Sequence, residues 1–135
     1  MTTGHWSFDA TQEAPGKGRR VIREFALAAK PTEHALGSIA VCISEAMTNV
    51  VVHAYRDMES PGQIDMEAEL EGDALTVRVS DQGHGLEPQL DSDGLGLGLP
   101  LISQFSVASE ITTPQQGGTE ITMRFDLREE GDATA

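Results

Sequence analysis

One cysteine in 135 residues, Cys42, excludes an intramolecular disulfide and any zinc site built from several cysteines, and fits a reducing compartment. Basic residues are also scarce: 9 against 22 acidic ones give a formal charge of −13. A general nucleic-acid binder, or a protein held on an anionic membrane, needs Lys and Arg to neutralise phosphates, so neither class fits. Residues 1–9 lack the charged-then-apolar pattern of a signal peptide, and no apolar run approaches the roughly 18 residues of a membrane span. The expectation is a cytoplasmic protein. Repeats, low-complexity tracts and shifts of composition are missing too, which predicts one domain over residues 1–127 and a polar, frayed tail over 128–135. With 39% hydrophobic residues, the chain still buries a real core.

What is present is periodic. A short extended piece around Trp6 to Ala10 precedes Pro15, after which Val21, Ile22, Phe25, Ala26 and Ala29 share one helical stripe to about Lys30. Pro31 stops that helix, and Thr32 is placed to cap a second one reaching about Tyr55, with Leu36, Ile39, Ala40, Ile43, Met47, Val50 and Ala54 on one face. The period then changes to two. Ile64, Met66, Ala68 and Leu70 alternate with Asp65, Glu67, Glu69 and Glu71, and Leu75, Val77 and Val79 continue the alternation after a turn at Gly72-Asp73. A glycine-rich loop over 82–98, a short helix opened by Pro100, and strands over about 106–113 and 119–127 complete the order. Helices and strands segregated in this way predict an α+β fold, a two-layer sandwich with helices on one face of a mostly antiparallel sheet.

Four places carry chemistry. Glu45 and Asn49 lie one turn apart on the second helix, away from its core stripe. An ordinary wet face would hold such a pair; Val41 and Val52 in the same sector argue instead for something covering it. A carboxylate and an amide oxygen at that spacing can hold Mg²⁺, or divide the work of base and metal ligand. Asp81 has the parity of Leu75, Val77 and Val79, so it extends the inward row where the strand leaves the core, followed by Gly83 and Gly85. It is either part of a plain strand-ending turn or an acceptor for a ligand amino group. Gly94, Gly96 and Gly98 precede Leu99-Pro100 and a helix start, where free N–H groups bind phosphate without any lysine. Thr119, after Gly117-Gly118, has the parity of Ile121 and Met123, which sets its hydroxyl at the rim of the same face as Asp81.

In this order, Glu45-x-x-x-Asn49 with His53-Ala54-Tyr55, Asp81-x-Gly83-x-Gly85, Gly94-x-Gly96-x-Gly98 and Gly118-Thr119 resemble the nucleotide-binding boxes of the GHKL ATPase superfamily. The Ser44-Glu45-Ala46-Met47-Thr48-Asn49 wording and the arginine-bearing first helix look most like the bacterial anti-sigma-factor serine kinases. The resemblance spans about residues 7–127. It implies the Bergerat ATP-binding fold, with ATP and Mg²⁺ as cofactors. By position, Asn49 would coordinate Mg²⁺ with Glu45 beside it, Asp81 would accept from the adenine amino group with Thr119 assisting, and Gly83 and Gly85 would shape the pocket. Gly94, Gly96, Gly98 and Leu99 would line the triphosphate, and Glu45 would act as general base toward a serine of the substrate. The implied partners are a sigma factor and its anti-anti-sigma antagonist, the latter being the phosphorylation substrate. The same resemblance implies a homodimer. One departure is the lid between Gly85 and Gly94, eight residues with Glu87, Asp91 and Asp93 and no lysine or arginine, which favours a nucleotide-gated partner switch without kinase turnover as the alternative.

Charge is unevenly divided. Lys17, Arg19, Arg20, Arg23 and Lys30 are five of the nine basic residues, with Glu24 the one acid among them. This face either pairs with the acidic body or, as the resemblance implies, docks a protein partner through Arg19, Arg20 and Arg23. The acidic row of Asp65, Glu67, Glu69 and Glu71 reads as a wet sheet face, with Arg78 on the neighbouring strand placed to pair with it, and disfavours dimerisation there. His53 and Tyr55 read as helix-packing residues.

Overall fold

Segments of period two become strands, and segments of period 3.6 become helices, in the computed structural model, which describes residues 1–55, 62–83, 99–113 and 117–131. The elements are β1 (Thr2–Asp9), α1 (Ala14–Leu27), α2 (Glu33–Asn49) continued by a π-helical turn (Val50–Ala54), β2 (Gln63–Glu71), β3 (Ala74–Asp81), α3 (Leu99–Phe105), β4 (Ala108–Thr112) and β5 (Thr119–Asp126). The five strands form one sheet in the order β1-β2-β3-β5-β4, antiparallel throughout.

The inward face of the sheet is the alternating apolar set. Ile64, Met66, Ala68 and Leu70 of β2, Leu75, Val77 and Val79 of β3, and Ile121, Met123 and Phe125 of β5 are all buried. They pack with Ile22 and Ala26 of α1 and Ile39, Ile43 and Met47 of α2 in one core. Each fully buried side chain of this size contributes about 1.5–3 kcal/mol, so the two-layer arrangement follows from the pattern. Trp6 meets Phe25 edge to face at 5.5 Å, which ties β1 to α1. On the outer face Arg78 sits among Glu67, Glu69 and Glu120 at 3.7–3.9 Å, so the expected pairing with the acidic row is present.

Helix boundaries have local causes. Pro15 stands in the first turn of α1, where a missing N–H costs nothing. Thr32 caps α2 by accepting from Ala35 N–H at 3.0 Å. The run that α2 belongs to corrects one expectation. From Glu33 through Ala54 it holds 22 helical residues, within which an 18-residue stretch has a mean hydropathy of 1.6, long and apolar enough to cross a membrane by length and composition. Half of that stretch is buried within the domain, so core packing accounts for the hydropathy. Arg128 and Glu129, expected in a frayed tail, are tied to the domain. Arg128 donates to the carbonyl oxygens of Ala29 and Lys30 at the end of α1 and pairs with Asp73 at 3.6 Å, while the Thr32 hydroxyl donates to the Glu129 carbonyl oxygen. Carbonyls left unpaired past α1 attract the guanidinium and fix the chain exit.

Candidate functional site

Asp81 ends β3 and Thr119 begins β5, and the strand register sets them directly opposite each other. Both are buried, at 3% and 4% exposure, although both are polar. The inward parity of their strands carries them to that rim, as the sequence pattern predicts. The Asp81 carboxylate accepts from Gly83 N–H at 2.8 Å and from the backbone N–H of Thr119. Burial pushes its pKa up, and these two N–H groups hold it back. The hydroxyl of Thr119 is buried with no hydrogen-bond partner among the described residues. An orphan of this kind costs about 1–3 kcal/mol unless a ligand atom completes it.

Two glycines bring backbone against backbone around this pair. A Cβ on Gly83 would land on the Ala54 carbonyl oxygen, at the end of the π-helical turn. Gly118 has φ +85°, and its Cβ would overlap the Asp81 carbonyl oxygen. Among the described residues the rim therefore presents a charged acceptor and a hydroxyl without a partner, where β3, β5 and the end of the α2 helix meet. A flat ring bearing an amino donor meets its requirements.

The other half of the site comes from α2. Asn49 is buried, and among the described residues no hydrogen bond engages its side-chain amide. Glu45, one turn earlier, is half-buried. The helical wheel placed both away from the core. Asn49 is nevertheless buried; nearer the middle of α2, α3 packs alongside, with the Cys42 thiol 3.8 Å from the Ile102 carbonyl oxygen. Val52 lies on the outward sector where the wheel put it, and at 52% exposure it is not covered by the described residues. Tyr55 is more than a packing residue: its hydroxyl donates to the Gln63 carbonyl oxygen at 2.7 Å and accepts from Gln82 N–H at 3.0 Å. No motif spacing signals that bridge. Gly85, Gly94, Gly96 and Gly98 lie outside the described residues, as does the side chain of Leu99, whose backbone opens α3.

The family model for the histidine kinase-like ATPase domain matches residues 8–125. The chain belongs to that family. Curated relatives include the anti-sigma F factor of Clostridium beijerinckii, 26% identical over 128 residues, covering 87% of this chain and 89% of the relative. The anti-sigma F factor of Clostridium perfringens is 29% identical over 130 residues, covering 87% and 91%. Among solved structures, the RsbU and RsbW domains of Rv1364c from Mycobacterium tuberculosis superpose with a TM-score of 0.75 at 26% identity, over 97% of this chain. This chain spans 34%, about a third, of that longer one. The histidine kinase domain of Erythrobacter litoralis EL346 gives a TM-score of 0.55 at 27% identity, covering 70% of this chain and 48% of that one. Membership in the histidine kinase-like ATPase family implies ATP binding, and the orphaned Thr119 hydroxyl beside Asp81 fits an adenine edge.

A second surface of this ATPase domain lies between α1 and α2. Arg19, Arg20 and Arg23 border a groove of about 360 Å³ whose floor includes Leu36, Ile39 and Ala40. Among the described residues these arginines make no ion pair, and Arg19 instead donates to the Ser44 hydroxyl at 2.9 Å.

Proposed function

We propose that this chain is an ATP- and Mg²⁺-dependent anti-sigma regulator that phosphorylates a serine of an anti-anti-sigma antagonist. The observation that carries the nucleotide part is the buried Asp81–Thr119 rim with its unpartnered hydroxyl. The regulatory part is supported by relatives named anti-sigma F factor along nearly their whole length. In this reading Asp81 accepts from the adenine amino group, and Asn49 with Glu45 beside it holds Mg²⁺. The metal supplies charge neutralisation on the phosphates. Glu45 takes the proton of the substrate serine as its oxygen bonds to the γ-phosphorus and the bond to the ADP oxygen breaks, leaving phosphoserine and ADP. The chain acts in the cytoplasm, as a homodimer formed away from the acidic sheet face. The alternative, an ATP-gated switch without turnover, is favoured by the acidic residues Glu87, Asp91 and Asp93.

Labelled ATP, Mg²⁺ and candidate antagonists encoded beside the gene test the reading. Transfer of label to a serine supports the kinase; ATP binding without transfer supports the switch.

Asp81→Asn separates ligand reading from stability. An amide turned toward the adenine amino group replaces an acceptor with a donor, and ATP affinity is expected to fall about 30-fold by titration calorimetry. The stability effect has the opposite sense. Because the folded state raises the Asp81 pKa above its ordinary 3.8, ionisation costs stability, which is highest below 3.8 and declines as pH climbs through the raised value. Urea melts of Asp81→Asn should lack that decline.

Charge reversal at Arg19 and Arg23 is expected to weaken binding of the sigma factor or antagonist at least about tenfold while ATP affinity stays unchanged. Equal loss of both would remove the α1 groove as the docking surface.

A further inference from the structure

Tyr55 directly follows the π-helical turn, and its hydroxyl joins three segments: the end of that turn, the start of β2 through Gln63, and the residue after Asp81 through Gln82. Gly62 lies against the ring so closely that a Cβ there would collide with ring carbons. The two bonds act on a sensitive point. Ile64 stands opposite Asp81 where β2 and β3 run side by side, so the phenol spans the end of that pair just where β3 delivers its carboxylate. The preceding residue, Ala54, presents its carbonyl to Gly83. Gln82 and Gly83 are thus held by consecutive residues of the same helical end, while Gly83 N–H in turn bonds the Asp81 carboxylate at 2.8 Å. A side chain that merely filled space would require the ring and leave the oxygen idle. Here the oxygen both donates and accepts, and π-helical turns recur where a helix must present functional groups.

We propose that Tyr55 is a positioning residue for the nucleotide: its hydroxyl pins the Asp81–Gly83 turn to the end of the helix carrying Asn49, and so fixes the base-reading group relative to the metal-holding groups. This rests on the nucleotide reading above. Burial, reinforced by the nearby Asp81 charge, raises the phenol pKa, so the hydroxyl keeps its proton at neutral pH. Removing it leaves two backbone groups, the Gln63 carbonyl and the Gln82 N–H, without this partner and frees the turn.

Tyr55→Phe keeps the ring on Gly62 and deletes the two bonds. Titration calorimetry with ATP and with GTP, each with Mg²⁺, is expected to give about tenfold weaker ATP binding and a narrower ATP-over-GTP preference. A purely structural role would lower the competent fraction and reduce both affinities alike. Thr32→Val provides the control, because it removes the α2 cap and the tie to Glu129 at the opposite end of the helix. It is expected to lower stability without altering ATP affinity or selectivity. The clamp is overturned by unchanged nucleotide binding in Tyr55→Phe, by parallel losses of ATP and GTP, or by the same selectivity change in Thr32→Val. Wild-type protein that binds neither nucleotide would overturn the nucleotide reading, and the clamp with it.

Discussion

Glu45→Gln protein is expected to bind ATP within about twofold of wild type and to transfer phosphate about 10²–10⁴-fold more slowly, the range for loss of a general base. The amide matches the carboxylate in shape and keeps an oxygen for the metal, but it does not take a serine proton. Its surroundings isolate the effect. Ser44, the preceding residue, is held by Arg19 at 2.9 Å, so the helical turn stays in place when residue 45 changes. Cys42 offers no substitute base, since burial and the charge of Glu45 push its thiol up to about 12. Initial-rate labelling of the antagonist, together with titration of ATP, separates the chemical step from binding. Wild-type transfer in the variant would strip Glu45 of its role and leave the pocket around Asp81 untouched.

The second large effect belongs to backbone. Gly118→Ala is expected to lower folding stability by about 2–5 kcal/mol, combining strain at a positive φ with forced displacement of neighbouring atoms. The obstacle is the Asp81 carbonyl oxygen on the adjacent strand. It cannot withdraw like a flexible side chain, because Asp81 is registered against Thr119. Relief of the clash must therefore separate the two groups that form the rim, so ATP binding should be lost even in buffer where the variant stays folded. Gly37→Ala, which meets open space on α2, serves as the control and should be neutral or slightly stabilising. Urea melts followed by calorimetry check both. Wild-type ATP affinity in folded Gly118→Ala would show that the rim tolerates movement of β5 against β3.

The sequence was most informative wherever a single element decides the outcome. Alternation from Ile64 to Leu70 and from Leu75 to Val79 identified two strands and their buried face, and the same parity delivered Asp81 and Thr119 to one rim before any pairing was known. The Thr32 cap was equally legible, since its bond reaches only three residues ahead. Features that depend on a second element were hidden. Asn49 looked solvent-facing on a wheel drawn for α2 alone, yet it is buried in the folded domain. Val52 faces outward as the wheel has it, but what would cover that sector is not written in the helix itself. Arg128 bonds Ala29 and Lys30 across nearly a hundred residues, a distance no local pattern encodes. Tyr55 likewise acts through backbone groups of two later segments, Gln63 and Gln82.

The strand order β1-β2-β3-β5-β4 places the last strand made inside the sheet rather than at its edge. During vectorial synthesis the first three strands emerge with Asp81 already in hand, but its counterpart Thr119 and the strand that bridges β3 to β4 arrive only with the final stretch of the domain. A nascent or truncated chain ending before β5 carries half a rim and a sheet with its centre missing. A binding-competent rim therefore waits for β5 to enter the sheet, however early β1, β2 and β3 have paired.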